Sequence, residues 1–396
     1  MTALAWQNPA SVAATQPSAP PTAVPSTPPS GSLKPPAVIP FRKIWSVPLN
    51  GSPVAPPGFL DARGFFPIGE SLVAHDLMDG GLLWSAARTA ELQPAVGDGL
   101  LFFVERRALV ALRQTDGSLA WERAFLEELS APLVWDNGWL VSATASGAVL
   151  AYRASDGEPI WRSEIGARAT AAPSLAADRV YVPAENGRIL ALRVETGAIV
   201  WDRRIAGTPH EILALEDRLY VGSTDNYLYC IKTDVGTIDW RWPTGADVVG
   251  RPFADARTLY FVSFDNMLRA LDRRSGNQRW RRPLPLRPQL GLRTTDGTLI
   301  VNGIAPPLRM YSMKDGAPAG EIATDGELAS PPYVLPLAEA PTVIVLTWND
   351  QSGALLTSFS RVSEPEPADP KSEPEPAGPK SEPGSADPKP GASPEP

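Results

Sequence analysis

The sequence predicts an all-β chain: one eight-bladed β-propeller of four-stranded antiparallel blades. Three observations carry this. A short template recurs seven times along the chain at a nearly constant interval. Each interval divides into four short β-type runs separated by Gly, Asn and Asp turns. The chain's ends are incomplete in complementary ways, a lone strand at the start and three strands at the finish.

The template is a small residue, five residues, Gly, three residues, Trp. Its copies run Leu72–Trp84, Leu109–Trp121, Val149–Trp161, Ile189–Trp201, Leu228–Trp240 and Leu268–Trp280. A seventh, Leu308–Gly320, keeps the glycine but ends in Gly320 where Trp is expected. The turn glycines are Gly80, Gly117, Gly157, Gly197, Gly236, Gly276 and Gly316. Their spacing of about 40 residues marks a repeat architecture built from one supersecondary unit.

The unit ending at Trp161 shows its strands. Ala131–Trp135 is a short apolar run, followed by the turn Asp136-Asn137-Gly138. Trp139–Ala143 alternates apolar and small residues up to the turn Ser146-Gly147. Val149–Arg153 is the third strand, Asp156-Gly157 the third turn and Ile160–Ile165 the fourth strand. Asn-Gly and Asp-Gly suit two-residue hairpins, because glycine takes positive φ without penalty. Four such strands in each repeat make a propeller blade. No helical period persists in the body.

The ends set the blade count. Phe41–Leu49 has the fourth-strand pattern, and Trp45 precedes Trp84 by the same interval that separates the later tryptophans. Leu328–Val334, Thr342–Trp348 and Gly353–Arg361 are three strands without a fourth. Aligning Gly353–Phe359 on Gly147–Arg153 puts Thr357 in the small-residue slot. The first strand therefore completes the last blade and removes the ring's open edges. The propeller spans 41–362.

Outside it, the composition changes. Of the 44 prolines, ten lie in 1–40 and eleven in 363–396. Neither segment holds enough apolar residues for a core, so both are expected to be disordered, the second an extended spacer. No basic-then-apolar export signal is present. Ala3-Leu4-Ala5 before a Pro-rich stretch suggests a start codon inside a longer signal peptide.

Charge and residue counts exclude several function classes. Net charge is −8, a poor basis for phosphate neutralisation, so nucleic acid is not an expected partner. No apolar run reaches the length of a membrane span. The single Cys230 rules out an internal disulfide and a cysteine-clustered metal site. The two histidines, His75 and His210, lack a local nucleophile or metal partner.

The Ala-x5-Gly-x3-Trp template resembles the repeat of pyrroloquinoline-quinone (PQQ)-type propellers, over residues 41–362. Two branches matter. One is the quinoprotein alcohol dehydrogenases, which bind the quinone and Ca²⁺. The other is the outer-membrane assembly factor BamB and its non-enzymatic relatives. The resemblance implies the fold more firmly than the function. The dehydrogenases use adjacent cysteines beside the cofactor, and a lone Cys230 departs from that. The expected function is thus a non-catalytic, monomeric scaffold of the cell envelope or periplasm, without cofactor, whose partners are proteins such as outer-membrane assembly machinery. The alternatives are a quinone- and Ca²⁺-dependent dehydrogenase, a propeller binding a carbohydrate or other small ligand, and a cytoplasmic location. The family's lipid anchor needs an N-terminal cysteine, which is absent from the start of this sequence.

Residue roles follow. Trp45, Trp84, Trp121, Trp161, Trp201, Trp240 and Trp280 are expected to fill the wedges between neighbouring blades. Cys230 takes the small-residue slot held elsewhere by Ala74, Ala111, Ala151, Ala191 and Ala270, as a buried apolar group. No residue is assigned to catalysis or metal binding. The expected partner- or ligand-facing loops hold Arg106, Arg107, Glu185, Asn186, Asp225, Asn226, Asp265 and Asn266 at second turns. Trp348, Asn349 and Asp350 lie at the matching point of the last blade. His210 and Glu211 are expected in a loop after a fourth strand. Asp and Asn are also good turn residues in their own right.

Overall fold

The computed structural model describes residues 40–303, 306–336 and 338–361. Apart from Pro40, the proline-rich ends 1–40 and 363–396, with Ala3-Leu4-Ala5, lie outside the described residues. The strands form eight antiparallel sheets. Seven are four-strand meanders in chain order: blade 1 (58–86), blade 2 (95–124), blade 3 (134–164), blade 4 (174–204), blade 5 (209–243), blade 6 (248–283) and blade 7 (288–322). Blade 8 joins the two ends. Phe41–Leu49 pairs with Gly353–Arg361, which pairs with Thr342–Asn349. Its first strand is split into Glu327–Leu328 and Tyr333–Val334.

Two sequence expectations shift by small amounts. In blade 8 the residue opposite Trp45 is Ser358, while Thr357 pairs with Ser46. The reason lies in the preceding turn. Gly147 belongs to the second turn of blade 3, whereas Gly353 already opens its strand, paired with Asn349. Aligning the two glycines therefore misplaces the small slot by one position. The second shift concerns Asp156-Gly157, which is not a two-residue hairpin. Gly157 N donates to the Arg153 carbonyl (2.8 Å), and Arg153 N donates to Glu158 O (2.8 Å), which encloses four residues. Asn137-Gly138 is a two-residue hairpin, with φ of 46° and 81°, the geometry that matches strand twist.

The apolar core lies between blades. Eight hydrophobic clusters line the ring, and each draws on two neighbouring blades. Phe65, Leu72 and Ala74 of blade 1 meet Leu101, Phe103 and Val110 of blade 2, for example. The register tryptophans repeat one contact. Each indole lies over the turn glycine of the next blade: Trp45 on Gly80, Trp84 on Gly117, Trp121 on Gly157, Trp161 on Gly197, Trp201 on Gly236, Trp240 on Gly276 and Trp280 on Gly316. The missing eighth Trp has a topological reason. Gly320 would have to face the turn between the third and fourth strands of blade 8. No such turn exists, because those strands are opposite ends of the chain.

Candidate functional site

In a meander with this topology, second turns and inter-blade crossings share one face of the ring. First and third turns share the other. First strands of successive blades touch one another around the axis, in blades 1 to 3 and again in blades 4 to 8. Two places can therefore bind something: the loop face, and the axial channel that opens on it.

On the loop face, much of the polar chemistry is spent locally. Asp265 is held by Arg269, by Ser263 Oγ (2.5 Å) and by Gly245 N (3.0 Å). Burial alone would raise the Asp265 carboxyl, but these bonds outweigh it and hold the group at about 2. Asp225 accepts from the Tyr229 hydroxyl. Asn186, Asn226 and Asn266 take left-handed backbone, at φ of 60°, 65° and 57°, as turn residues do. Arg106 and Arg107 also have positive φ, and Arg106 N donates to Glu91 Oε1 (3.1 Å). Glu185 N donates to Arg168 O (2.9 Å). Asn349 Oδ1 caps Gln351 N (3.0 Å) and Ser352 N (2.5 Å), and Asp350 is exposed in that turn. Trp348 lines a groove with Ser52–Pro56 at the junction of blades 8 and 1.

Beside the exposed side chains of Arg106, Arg107, Glu185 and Asp350, this face also leaves apolar groups open. Leu126 of the crossing from blade 2 to 3 is 77% exposed. Val54 in the crossing from blade 8 to 1 is exposed, as is Phe264 at the second turn of blade 6. Arg287 lies over the Phe264 ring, 4.8 Å from its centroid.

His210 and Glu211 are not in a loop. They belong to Pro209–Ala214, the first strand of blade 5. The loop expectation failed because Thr208-Pro209 reads as a turn, while the strand resumes immediately and bulges between Pro209 and Ile212. His210 is half-buried with Nε2 unpartnered, whereas Glu211 lines the channel. The channel cavity measures about 410 Å³ and is lined by residues in or beside the first strands of all eight blades. Its charged residues are Glu211, Arg251 and Arg293. Arg251 meets solvent inside the channel, yet the ring's walls surround it. That enclosure lowers both guanidinium pKa values, and Glu211 acts in the opposite direction. The two arginines escape a reading of repeat turns, because they lie in strands. The available signal was a Gly followed closely by Arg in the first strands of two adjacent units.

The remaining candidates are structural. His75 is buried, and its Nδ1 is 2.9 Å from the Gly80 carbonyl. Cys230 is fully buried, and burial pushes its thiol up to about 12, leaving it protonated and inert at neutral pH. Trp135 covers Gly97 of blade 2, and Trp139 and Trp242 pack against inter-blade clusters. Among the described residues no three His, Cys, Asp or Glu side chains are grouped as a metal site, and no helix is long and apolar enough to cross a membrane.

Comparison with known proteins fits this geometry. A relative from Moranella endobia, "Outer membrane protein assembly factor BamB", is 24% identical over 73% of this chain and 78% of its own length. Further relatives of that name are matched over about half their length. Among solved structures, BamB from Moraxella catarrhalis superposes with a TM-score of 0.61 at 18% identity, over 81% of this chain and 99% of that one. The quinohemoprotein alcohol dehydrogenase of Comamonas testosteroni gives 0.64 at 12% identity, over 83% and 78%. At such identities both demonstrate the fold alone. The sequence profile described as outer membrane protein assembly factor BamB matches residues 106–214 and 206–324, more than half of the chain, and the chain therefore belongs to that family of PQQ-like propellers.

Proposed function

We propose that this chain is a non-catalytic scaffold of the cell envelope that offers its loop face to protein partners, with outer-membrane assembly machinery as the partner class. Family membership supports the reading. So does Cys230, a lone thiol buried between blades 5 and 6, since the quinone enzymes carry an adjacent pair beside their cofactor.

The observation that carries it is the apolar trio Val54, Leu126 and Phe264 on one face. None of the three is needed to close a blade interface, since none belongs to the clusters that do so. Exposed apolar side chains gain by leaving water when a partner covers them, and Phe264 is of the aromatic class enriched in interface cores. Arg287 stacked on Phe264 adds a cation of the type enriched at such contacts.

The test is in-cell cross-linking of full-length chain carrying a photo-reactive residue at position 126 or 264, with mass spectrometry of the captured proteins. Envelope assembly proteins are the expected catch. The charge substitutions Leu126→Asp and Phe264→Asp should reduce capture while leaving the melting temperature unchanged. Capture of nothing, or capture indifferent to both substitutions, would remove the scaffold reading.

A further inference from the structure

Blades 5, 6 and 7 differ from the others along the axis. Elsewhere the continuous first strand is three residues or shorter, and in blades 1, 3 and 4 a single upstream bridge stands apart from it (Pro53 with Ile68, Leu129 with Thr144, Ala169 with Ala184). Blades 5 to 7 have first strands of 6, 7 and 8 residues, each broken by a bulge. Bulges re-aim side chains and recur beside functional sites.

In blade 6 the register jumps from Val249 to Phe253, and in blade 7 from Pro288 to Leu292. Gly250 and Gly291 meet at these irregularities. A Cβ on Gly250 would stand 2.8 Å from Gly291 Cα, and both glycines have positive φ, 62° and 74°. Only glycine at both positions allows the two backbones to touch. Arg251 follows one glycine directly, and Arg293 follows the other by two residues. In blade 7 Asn302 supports the bulge, accepting from Leu290 N at 2.8 Å.

Neither arginine is neutralised by a carboxylate. Among the described residues the Arg251 side chain makes no hydrogen bond or ion pair, and the Arg293 guanidinium reaches only the carbonyl of Leu292 (2.8 Å). Glu211 faces them from blade 5 but forms an ion pair with neither. Two guanidiniums thus share a walled cavity with one carboxylate, leaving net positive charge where the protein as a whole is acidic. Arginine's planar fork suits carboxylate and phosphate oxygens. A cavity of about 410 Å³ falls in the range that holds metabolite-sized ligands.

We propose that the axial channel binds a small multivalent oxyanion, a polycarboxylate or a phosphate compound, between Arg251 and Arg293. This site lies inside the channel, on residues other than Val54, Leu126 and Phe264, the loop groups proposed to meet a protein partner. Glu211 opposes the anion and limits affinity, so the site discriminates for ligands carrying at least two negative charges.

The experiment is calorimetric titration of the full-length chain with citrate, with pyrophosphate and with glucose as neutral control, at constant ionic strength. At least one of the two anions binds with a Kd below about 1 mM, and glucose does not. The preferred anion identifies the chemistry as carboxylate or phosphate. Arg251→Gln and Arg293→Gln each weaken binding by about tenfold or more. Glu211→Gln strengthens it, and added salt weakens it. Absence of binding by both anions overturns the proposal, as does binding that the arginine variants leave unchanged. If those variants fail to fold, Glu211→Gln decides alone: unchanged or weaker binding overturns it.

Discussion

The indole of Trp161 lies so close over Gly197 that a Cβ on that glycine would stand 2.5 Å from Trp161 Cε3. Gly197 also has φ of 68°, in the left-handed region. Two penalties therefore meet in Gly197→Ala: backbone strain of about 1–2 kcal/mol and a displaced tryptophan costing about 1–3 kcal/mol more. Gly297 separates them. Its φ is 67° but nothing lies within 4 Å of its Cβ direction. Gly297→Ala should cost only the strain. Chemical denaturation of both variants checks the difference, and equal losses would mean that the indole contact contributes nothing.

Trp240 breaks the otherwise regular indole hydrogen bond. Trp201 Nε1 donates to Thr233 O (2.8 Å) and Trp161 Nε1 to Val194 O (2.6 Å). The matching acceptor for Trp240 is the carbonyl of Arg273, which instead accepts from the Tyr220 hydroxyl (2.7 Å), leaving Trp240 Nε1 buried and unpartnered. Trp240→Phe should therefore cost less than Trp201→Phe, by about 1 kcal/mol. In the next blade Met313 O is shared between the Tyr260 hydroxyl and Trp280 Nε1, at 3.2 Å each, whereas the shorter Tyr220 bond leaves Trp240 without a share. Tyr220→Phe should therefore let the indole bond form, and Trp240→Phe should cost more in that background. A double-mutant cycle reads the coupling, and additive losses would contradict it.

The same contacts explain what was legible beforehand. Seven of the eight interfaces reuse one Trp against one Gly, so the spacing from Gly80 to Gly316 displayed seven blades directly and the chain's ends supplied the eighth. Even the exception, Gly320, lies where the chain's ends replace a turn. Legibility failed where a residue type could serve two backbone roles. Gly353 resembled the turn glycine Gly147 but opens a strand, which moved the small slot from Thr357 to Ser358. The irregularities at Gly250 and Gly291 interrupt the two-residue alternation that identifies a strand face, so nothing in the pattern aimed Arg251 or Arg293 into the channel. Glu211 was noticed, but with the wrong geometry, because Pro209 imitated a turn. Asp265 looked like a free loop carboxylate. Only the fold brings Arg269 and Ser263 onto it.

Asp265 gives a pH signature. Its carboxyl lies at about 2 rather than the ordinary 3.8, with burial opposing the shift and the bonds from Arg269, Ser263 and Gly245 producing it. A depressed carboxyl stabilises the fold fully above its unfolded value and loses that contribution as pH falls toward about 2. Stability should therefore decline between about pH 4 and 2, and the Asp265→Asn variant should decline less steeply over that window. Melting curves across the range measure it. Parallel profiles for the two proteins would assign the acid sensitivity elsewhere.

Ring closure can be tested by covalent bonding. Ser46 Oγ and Thr357 Oγ1 are 2.9 Å apart on directly paired strands, although 311 residues separate them in sequence. Side chains opposite each other on antiparallel strands are within reach of a disulfide once both are cysteine. Constraining so long a loop removes unfolded-state entropy worth up to about 5 kcal/mol in the chain-entropy limit. Cys230 will not compete for the new thiols, because it is fully buried and protonated. The doubly substituted chain Ser46→Cys, Thr357→Cys should thus cross-link on mild oxidation, melt several degrees higher, and return to its unlinked melting temperature with reductant. Failure to form the bond in folded protein would show that the first strand does not complete the last blade. The contribution of Phe41–Leu49 to closure would then have to be assigned to another edge.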